Sequence, residues 1–109
     1  MINSTEFDLN KRLLLKEKIH QYVKNKVSLT ELENSELFLA NNEEEYKLLS
    51  DIFHAIHHFD ADICRVNNVE KTNMEQKLIN IADSLTENNE YLRKAINIFF
   101  NDPYSSPPT

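Results

Sequence analysis

The chain of 109 residues contains no glycine, and this constrains its fold more than any other feature. Glycine supplies the left-handed backbone of tight hairpin turns, so a β-rich protein of this size would normally contain several. Its absence favours helices joined by turns rich in asparagine and serine. It also excludes the glycine-rich loops that hold dinucleotides and phosphates.

Apolar residues, which make up 40% of the chain, recur at the spacing of a helix rather than of a strand. With 28% charged residues, this composition is typical of one globular domain. We predict an all-α fold, a single compact bundle of four or five helices over residues 1–102. An irregular, proline-rich tail would follow at residues 103–109.

Capping residues predict where the helices begin. Ser28 and Glu31 form a capping box, in which each side chain accepts a hydrogen bond from the other residue's backbone. The predicted N-terminal caps, in chain order, are Asp8, Ser28, Asn41 or Asn42, and Thr72 or Asn73. Asn88 or Asn89 would interrupt the fourth helix, and a last helix would follow. Residues 60–73 show no clear apolar period and are predicted to form a loop.

The apolar stripes predict the core. The first helix would bury Leu9, Leu13, Leu14, Ile19, Tyr22 and Val23, while its bases form a solvated face. The second would run from Ser28 and bury Leu29, Leu32, Leu37 and Phe38, with Leu39 as a further candidate. The third would be the central helix, with a stripe of Tyr46, Leu49, Ile52, Phe53, Ile56 and Phe59. The fourth would bury Met74, Leu78, Ile81, Ala82 and Leu85. The last would bury Tyr91, Leu92, Ala95, Ile96, Phe99 and Phe100.

Charge is divided unevenly along the chain. Residues 27–64 contain nine acidic side chains and one base, Lys47, whereas residues 1–26 carry a net charge of +3. Such a concentration of carboxylates attracts a basic surface and repels phosphate. We therefore expect a basic protein partner and no direct binding of nucleic acid. Two simpler causes of the pattern stay open, because a charge run is often only a solvated face and Glu43, Glu44 and Glu45 also suit the N-terminal dipole of a helix.

Three histidines, His54, His57 and His58, come nearest to a catalytic or metal-binding pattern. His54 and His58 lie one helical turn apart and could share a cation with Asp51 or Asp62. However, Ala55 stands where an HExxH motif has its glutamate, and His57 falls on another face. We expect no metal, no cofactor and no catalytic residue.

Cys64 is the only cysteine in the sequence, so the chain cannot form an internal disulfide. We expect it to be a buried or half-buried structural thiol. The first eight residues lack the apolar run of a signal peptide, and no apolar stretch reaches the ~20 residues of a membrane span. We therefore expect a cytoplasmic protein that does not enter membranes.

Three segments carry a resemblance to a known family. They are IHQYVKNKVSLTELENSELFLA, LLSDIFHAIHHFDADI and NMEQKLINIADSL, between residues 19 and 85. The first resembles an opening helical hairpin with a short turn, the second a helix with aromatic residues followed by acids, and the third a later amphipathic helix. Together they resemble the colicin D immunity proteins and their relatives in bacterial contact-dependent inhibition systems.

The resemblance implies a small helical protein that binds and inhibits a cognate basic toxin nuclease, one that cleaves transfer RNA. The inhibitor would cover the nuclease's active site with an acidic surface, as a monomer in a 1:1 complex. Asp62 matches an acidic family position that contacts the toxin. His57 stands where the family has a second contacting acid, and Asp60 could substitute for it.

The residues predicted to bind the partner are Glu36, Glu43, Glu44, Glu45, Asp51, His57, Asp60 and Asp62. Two alternatives stay open at this point. One is a metal-binding helical domain that uses His54, His58 and Asp62. The other is an acidic adaptor that binds a different basic protein.

Overall fold

Five α-helices and one short 3₁₀ helix make up the part of the chain that this computed structural model describes, namely residues 9–34, 36–38, 40 and 42–105. Those ranges contain no β-strand, so the predicted all-α fold is confirmed. In chain order the elements are α1 (Leu9–Val23), α2 (Leu29–Glu33), the 3₁₀ helix (Glu36–Phe38), α3 (Glu43–Asp62), α4 (Asn68–Ser84) and α5 (Asn89–Asn101).

Serine and asparagine begin four of these helices. Ser28 caps α2 in the predicted capping box, and Asn42 caps α3. Asn88, predicted only as one of two residues that interrupt the fourth helix, caps α5. The fourth boundary is wrong, because Asn67 rather than Thr72 or Asn73 caps α4, in a second capping box with Glu70. The predicted cap Asp8 and the candidate core residue Leu39 lie outside the described residues.

Asparagine also takes a position that usually requires glycine. At the end of α1, Asn25 has a φ of 62°, in the left-handed region. The Lys26 amide donates to Gln21 O, and the Asn25 amide donates to Tyr22 O, which is the hydrogen-bond pattern of a Schellman C-cap. Asparagine tolerates this conformation better than other residues with a β-carbon, so the chain turns here without glycine.

The core lies where α4 meets α1 and α5 and where α3 meets α4 and α5. The predicted apolar residues of α4, from Met74 to Leu85, are all buried. In α5, Leu92, Ile96 and Phe99 are buried as predicted, whereas Tyr91 and Phe100 are exposed. The described helices include none that is both long and apolar enough to cross a membrane.

The buried face of α1 differs from the predicted one. Leu9, Leu13 and Leu14 are exposed, while Leu15 and Arg12 are buried beside Ile19 and Tyr22. The predicted solvated face of bases is therefore wrong for Arg12. A helix with leucine at three consecutive positions has several possible apolar faces, and tertiary packing selects among them.

Two boundaries also differ from the prediction. The second helix ends at Glu33, where the Asn34 amide closes the last turn, and Leu37 and Phe38 belong to the separate 3₁₀ helix. The loop predicted at residues 60–73 is confined to residues 63–67, since α3 continues to Asp62 and α4 begins at Asn68. The first turn of α4 is exposed and almost entirely polar, so it shows no apolar period.

Residues 103–105, the described part of the predicted tail, pack onto the bundle. Pro103 is buried, and Asn73 Nδ2 donates a hydrogen bond of 2.8 Å to Tyr104 O. The buried ammonium of Lys77 donates to Asp102 O. Cys64, predicted to be buried or half-buried, is exposed in the turn after α3, whereas its neighbours Ile63 and Val66 pack against the core.

Candidate protein-binding site

Helix α3 carries seven of the eight residues predicted to bind a partner. The eighth, Glu36, has a side chain outside the described part of the structure. Successive residues of an α-helix are rotated by about 100°, so neighbours in sequence face different sides. The seven residues accordingly divide among the interior and two flanks of α3.

Glu45 faces the interior and is not available to a partner, contrary to the prediction. Its carboxylate accepts hydrogen bonds from Arg12 at 2.5 and 3.2 Å, and both side chains are buried. Arg12 also donates to Leu85 O at 3.1 Å. This ion pair joins α1, α3 and the end of α4. A buried carboxylate needs such a partner, since burial without one is costly.

One flank of α3, which we call the aromatic flank, faces α2 and the 3₁₀ helix. It consists of Glu43, Tyr46, Ser50, Phe53, His57 and Asp60. These residues follow one another at alternating spacings of three and four, which places them in a single row along a helix. Over 17 residues, that row is on the order of 25 Å long.

A shallow aromatic cleft lies along this flank. It is lined by Phe38 of the 3₁₀ helix and by Tyr46, Leu49, Ser50 and Phe53 of α3. The Phe38 and Phe53 rings meet edge to face with centroids 5.2 Å apart. Tyr46 was predicted to be a core residue, but it is 64% exposed and forms an outer wall of the cleft.

Carboxylates lie beyond both ends of the cleft. Glu33 Oε1 of α2 lies 2.5 Å from His57 Nε2, although the ring is not oriented for a hydrogen bond. The His57 ring in turn lies against Phe53, with centroids 4.5 Å apart. At one end of the row Glu43 is exposed, one turn from Tyr46. Among the described residues, none of Glu33, Glu43 and Asp60 forms an ion pair with lysine or arginine.

At the far end of the row, Asp60 accepts a hydrogen bond of 2.6 Å from the hydroxyl of Tyr22 in α1. Burial raises the pKa of Tyr22 above its ordinary value, and the hydrogen bond to Asp60 raises it further. The phenol therefore stays neutral and leaves the charge of Asp60 uncompensated. The Tyr22 ring also meets Phe59 edge to face, which fixes the hydroxyl beneath the carboxylate.

The opposite flank of α3, which we call the α5 flank, consists of Glu44, Asp51, His58 and Asp62. Here α5 supplies partners to one acid, Glu44. Glu44 accepts from Arg93 at 2.9 Å and from Asn89 at 2.8 Å. A groove between the two helices is lined by Glu44, Lys47, Leu48, Asp51, Arg93, Ile96 and Asn97. Its two acids face two bases, so the groove has no formal net charge.

Asp62 lies at the end of the α5 flank and is held by the C-terminal segment. The Tyr104 hydroxyl donates to Asp62 Oδ2 at 2.5 Å, and His58 Nε2 lies 3.4 Å from the same oxygen. The hydrogen bond to Asp62 raises the pKa of Tyr104. The His58 ring also packs against Phe99 and Phe100. Asp62 thus has structural partners that the sequence did not predict.

The single acidic surface expected from the sequence does not form. Asp60 and Asp62 are two residues apart, which places them about 200° apart around a helix. Asp60 contacts α1, whereas Asp62 contacts the segment after α5. Glu43, Glu44 and Glu45 likewise face three directions, because each is rotated by about 100° from the one before it. Of the acids on the two flanks, only Glu44 forms an ion pair with lysine or arginine in the described structure. The flanks differ in their bases, because Lys47 and Arg93 line the groove of the α5 flank, whereas no lysine or arginine lines the aromatic cleft.

The alternative of a metal site at His54, His58 and Asp62 has no support in the geometry. In the described part of the chain, no three histidine, cysteine, aspartate or glutamate side chains are arranged to hold a metal ion. His54 is exposed, while His58 lies between Asp62 and the rings of α5.

The predicted site lacked Tyr46, Ser50 and Phe53 of the aromatic flank, and it also lacked Glu33 of the neighbouring α2. Glu33 was recognised only as part of the acidic segment, and Tyr46 was assigned to the core. The row from Glu43 to Asp60 could have been found by following every third and fourth residue through α3. The position of Glu33 beside His57 could not, because it depends on how α2 packs against α3.

Comparison with known proteins gives no matching family model, no matching curated protein and no matching solved structure. The two flanks of α3 are therefore the basis on which a function can be inferred.

Proposed function

We propose that this protein inhibits a cognate toxin nuclease, a ribonuclease that cleaves transfer RNA, by covering its basic active site. The resemblance to the colicin D immunity proteins supplies the partner class. The aromatic flank of α3 supplies the surface, and it differs from the surface that the resemblance implies. Both parts of this proposal are open to experiment.

The observation that carries the proposal is the set of carboxylates Glu33, Glu43 and Asp60 around partly exposed aromatic side chains. In the described structure, no lysine or arginine pairs with them. Protein interfaces typically combine aromatic side chains with charged groups at their rim. The row of roughly 25 Å also has the dimension of a standard interface, which buries about 800 Å² on each partner.

A ribonuclease must hold a polyanion, so its active site contains lysine and arginine. Carboxylates placed opposite those bases form charge-assisted hydrogen bonds and exclude the phosphates of the substrate. Opposite charge also steers the two proteins together, at association rates up to about 10⁸–10⁹ M⁻¹s⁻¹ at low salt. Rapid capture suits an inhibitor that must act before the toxin damages its target.

The acid that the resemblance assigns to position 57 has a counterpart in space. His57 occupies that position, but the Glu33 carboxylate lies beside it. We propose that Glu33 supplies the charge there. Asp62, the second position implied by the resemblance, would then contact the partner at the margin of the interface, because Tyr104 and His58 already surround it.

The direct test is inhibition of a purified toxin nuclease domain, chosen from the genes next to that of this protein, with transfer RNA as substrate. We expect inhibition to be complete at one equivalent of the protein and to weaken as salt rises. The variant Glu43→Lys should inhibit less well, and the matched variant Glu87→Lys, at an exposed acid far from α3 in sequence, should inhibit normally.

Two results would contradict the proposal. One is full nuclease activity in the presence of excess protein at low salt. The second is a complex whose affinity is the same at low and high salt, since electrostatic capture depends on ionic strength. Binding to a basic protein that is not a nuclease would support the adaptor alternative instead.

A further inference from the structure

The aromatic cleft has features that the proposed inhibition does not require. A surface that only repelled phosphate and attracted bases would need carboxylates alone. Here the wall of the cleft is formed by Phe38, Tyr46 and Phe53, and the hydroxyl of Ser50 is a hydrogen-bonding group within the lining. The exposure of Tyr46, at 64%, leaves most of a large ring facing outward.

We propose that this cleft is a receptor for an arginine side chain of the protein partner. This inference rests on the proposed function for the identity of the partner, but the chemistry of the cleft can be tested without it. The occupant would lay its alkyl stem along Leu49 and Phe53 and place its guanidinium against the Tyr46 ring, near Glu43.

Charge complementarity selects a cation over an apolar group. Glu43 lies one turn before Tyr46, and Glu33 lies beyond His57 at the other side of Phe53. An apolar occupant such as leucine would cover the rings but would leave these carboxylates to face an apolar surface, which is unfavourable. A cation gains from both the rings and the acids.

The shape and hydration of the two basic side chains select arginine over lysine. A guanidinium is planar and weakly hydrated, so it stacks on an aromatic face and still donates hydrogen bonds from its edge. An ammonium is compact and strongly hydrated, and it gains less from a ring. The acids should therefore attract both cations, whereas the tyrosine ring should distinguish between them.

The experiment measures binding of acetylated hexa-arginine and hexa-lysine peptides to the full chain, at equal ionic strength, by titration calorimetry. We expect hexa-arginine to bind at least about 3-fold more tightly, as cation–π contacts allow. Resonances of Tyr46 and Phe53 should shift in NMR spectra when hexa-arginine is added. A hexa-serine peptide should not bind.

Variants distinguish the contribution of the Tyr46 ring to peptide binding from that of the carboxylates. Tyr46→Ser should bring the affinity ratio of the two peptides close to one, and Tyr46→Phe should keep it. Tyr91→Ser is the matched control, because Tyr91 is 57% exposed on α5 and away from the cleft. Glu43→Gln should weaken both peptides by a similar factor and leave the ratio unchanged.

The inference would be overturned if the two peptides bound equally to the native protein, if Tyr46→Ser kept the ratio, or if the shifts appeared on the α5 flank. It would also be overturned if Tyr46→Ser abolished self-association, because a second copy would then cover the cleft. Nuclease inhibition with no preference for arginine rejects this inference alone. A preference for arginine without nuclease inhibition rejects only the proposed function.

Discussion

The two flanks of α3 contain similar numbers of acids but differ in what surrounds them. On the α5 flank, Glu44 pairs with Arg93, and Asp51 lies in a groove that also contains Lys47. On the aromatic flank, Glu43 and Asp60 have no cationic partner among the described residues, and partly exposed rings lie between them. The α5 flank thus carries bases next to its acids, whereas the acids of the aromatic flank adjoin rings and have no lysine or arginine partner in the described structure.

This difference shows why a count of charges along the sequence is a poor guide to a surface. The segment of residues 27–64 has a net charge of −8. Part of that charge is neutralised by bases far away in sequence, such as Arg12 and Arg93. The electrostatic field at the surface, which a partner protein encounters, depends on the acidic charge that is not neutralised in this way.

The largest effect should come from the acid that belongs to neither flank. Glu45→Ala removes the carboxylate that neutralises the buried guanidinium of Arg12, so we expect the free energy of unfolding to fall by about 3–5 kcal/mol. Urea denaturation measures it. Glu43→Ala, two residues away on the surface, is the matched control and should change stability little.

The double variant Arg12→Leu/Glu45→Leu should recover much of the loss, because apolar residues can replace a buried ion pair. Equal stability of Glu45→Ala and Glu43→Ala would show that Glu45 is a surface acid, and the division of α3 into an interior and two flanks would be wrong.

A smaller loss of stability should follow removal of the tyrosine hydroxyls that donate to Asp60 and Asp62, and its size should differ between Tyr22 and Tyr104. Tyr22→Phe keeps the buried ring but removes a hydrogen bond to a carboxylate, for which we expect a loss of about 2 kcal/mol. Tyr104→Phe should cost less, since Tyr104 lies in the C-terminal segment rather than in the core. Thermal unfolding of the two variants checks the order, and the reverse order would contradict it.

The same tyrosine predicts how stability depends on pH. In the unfolded chain Tyr22 ionises near its ordinary pKa of 10.0, whereas in the folded chain its pKa is raised by burial and by Asp60. Its contribution to stability is therefore fully present below about pH 10 and is lost as pH rises above that value. The decline should be shallower in Tyr22→Phe than in the native protein. The urea concentration at the midpoint of unfolding, measured between pH 8 and 11, follows this loss of stability. If the midpoints of the native protein and of Tyr22→Phe fell equally with pH, the loss would not be due to Tyr22.

The smallest effect is expected on the α5 flank. Glu44→Gln removes an ion pair between two exposed side chains, which is worth at most about 0.5 kcal/mol. A loss several times larger would mean that Arg93 and Glu44 form a structural contact comparable to the buried pair.

Much of the fold could be predicted from the sequence, because it depends on local signals. Missing glycine, apolar spacing, the caps at Ser28 and Asn42 and the break at Asn88 indicated the helical class and most boundaries. Tertiary packing determines which helix faces are buried and which distant residues meet. Three adjacent leucines could not show which face of α1 is buried, and nothing local shows that Arg12 reaches Glu45, 33 positions away.

The candidate site was predictable to a smaller extent. The division of Glu43, Glu44 and Glu45 among three directions follows from helical rotation alone and could have been derived from the sequence. The partners of each acid could not, because Arg93, Tyr104 and Tyr22 come from other elements. Those partners determine which carboxylates are already paired within the protein and which can contact another molecule.

The proposed inhibition requires that the aromatic flank makes the main contact with the nuclease, while the α5 flank contributes no more than Asp62 at the margin. The decisive experiment compares the dissociation constants of two variants with the same change in charge, Glu43→Lys/Asp60→Lys and Glu44→Lys/Asp51→Lys. Thermal unfolding should first show that both are folded, and Glu43→Lys alone replaces the first if loss of the Tyr22 contact unfolds it. We expect the aromatic-flank variant to bind at least about 30-fold more weakly than the native protein, and the α5-flank variant to change by less than about 5-fold. The reverse order, or equal losses, would contradict the assignment of the interface to the aromatic flank.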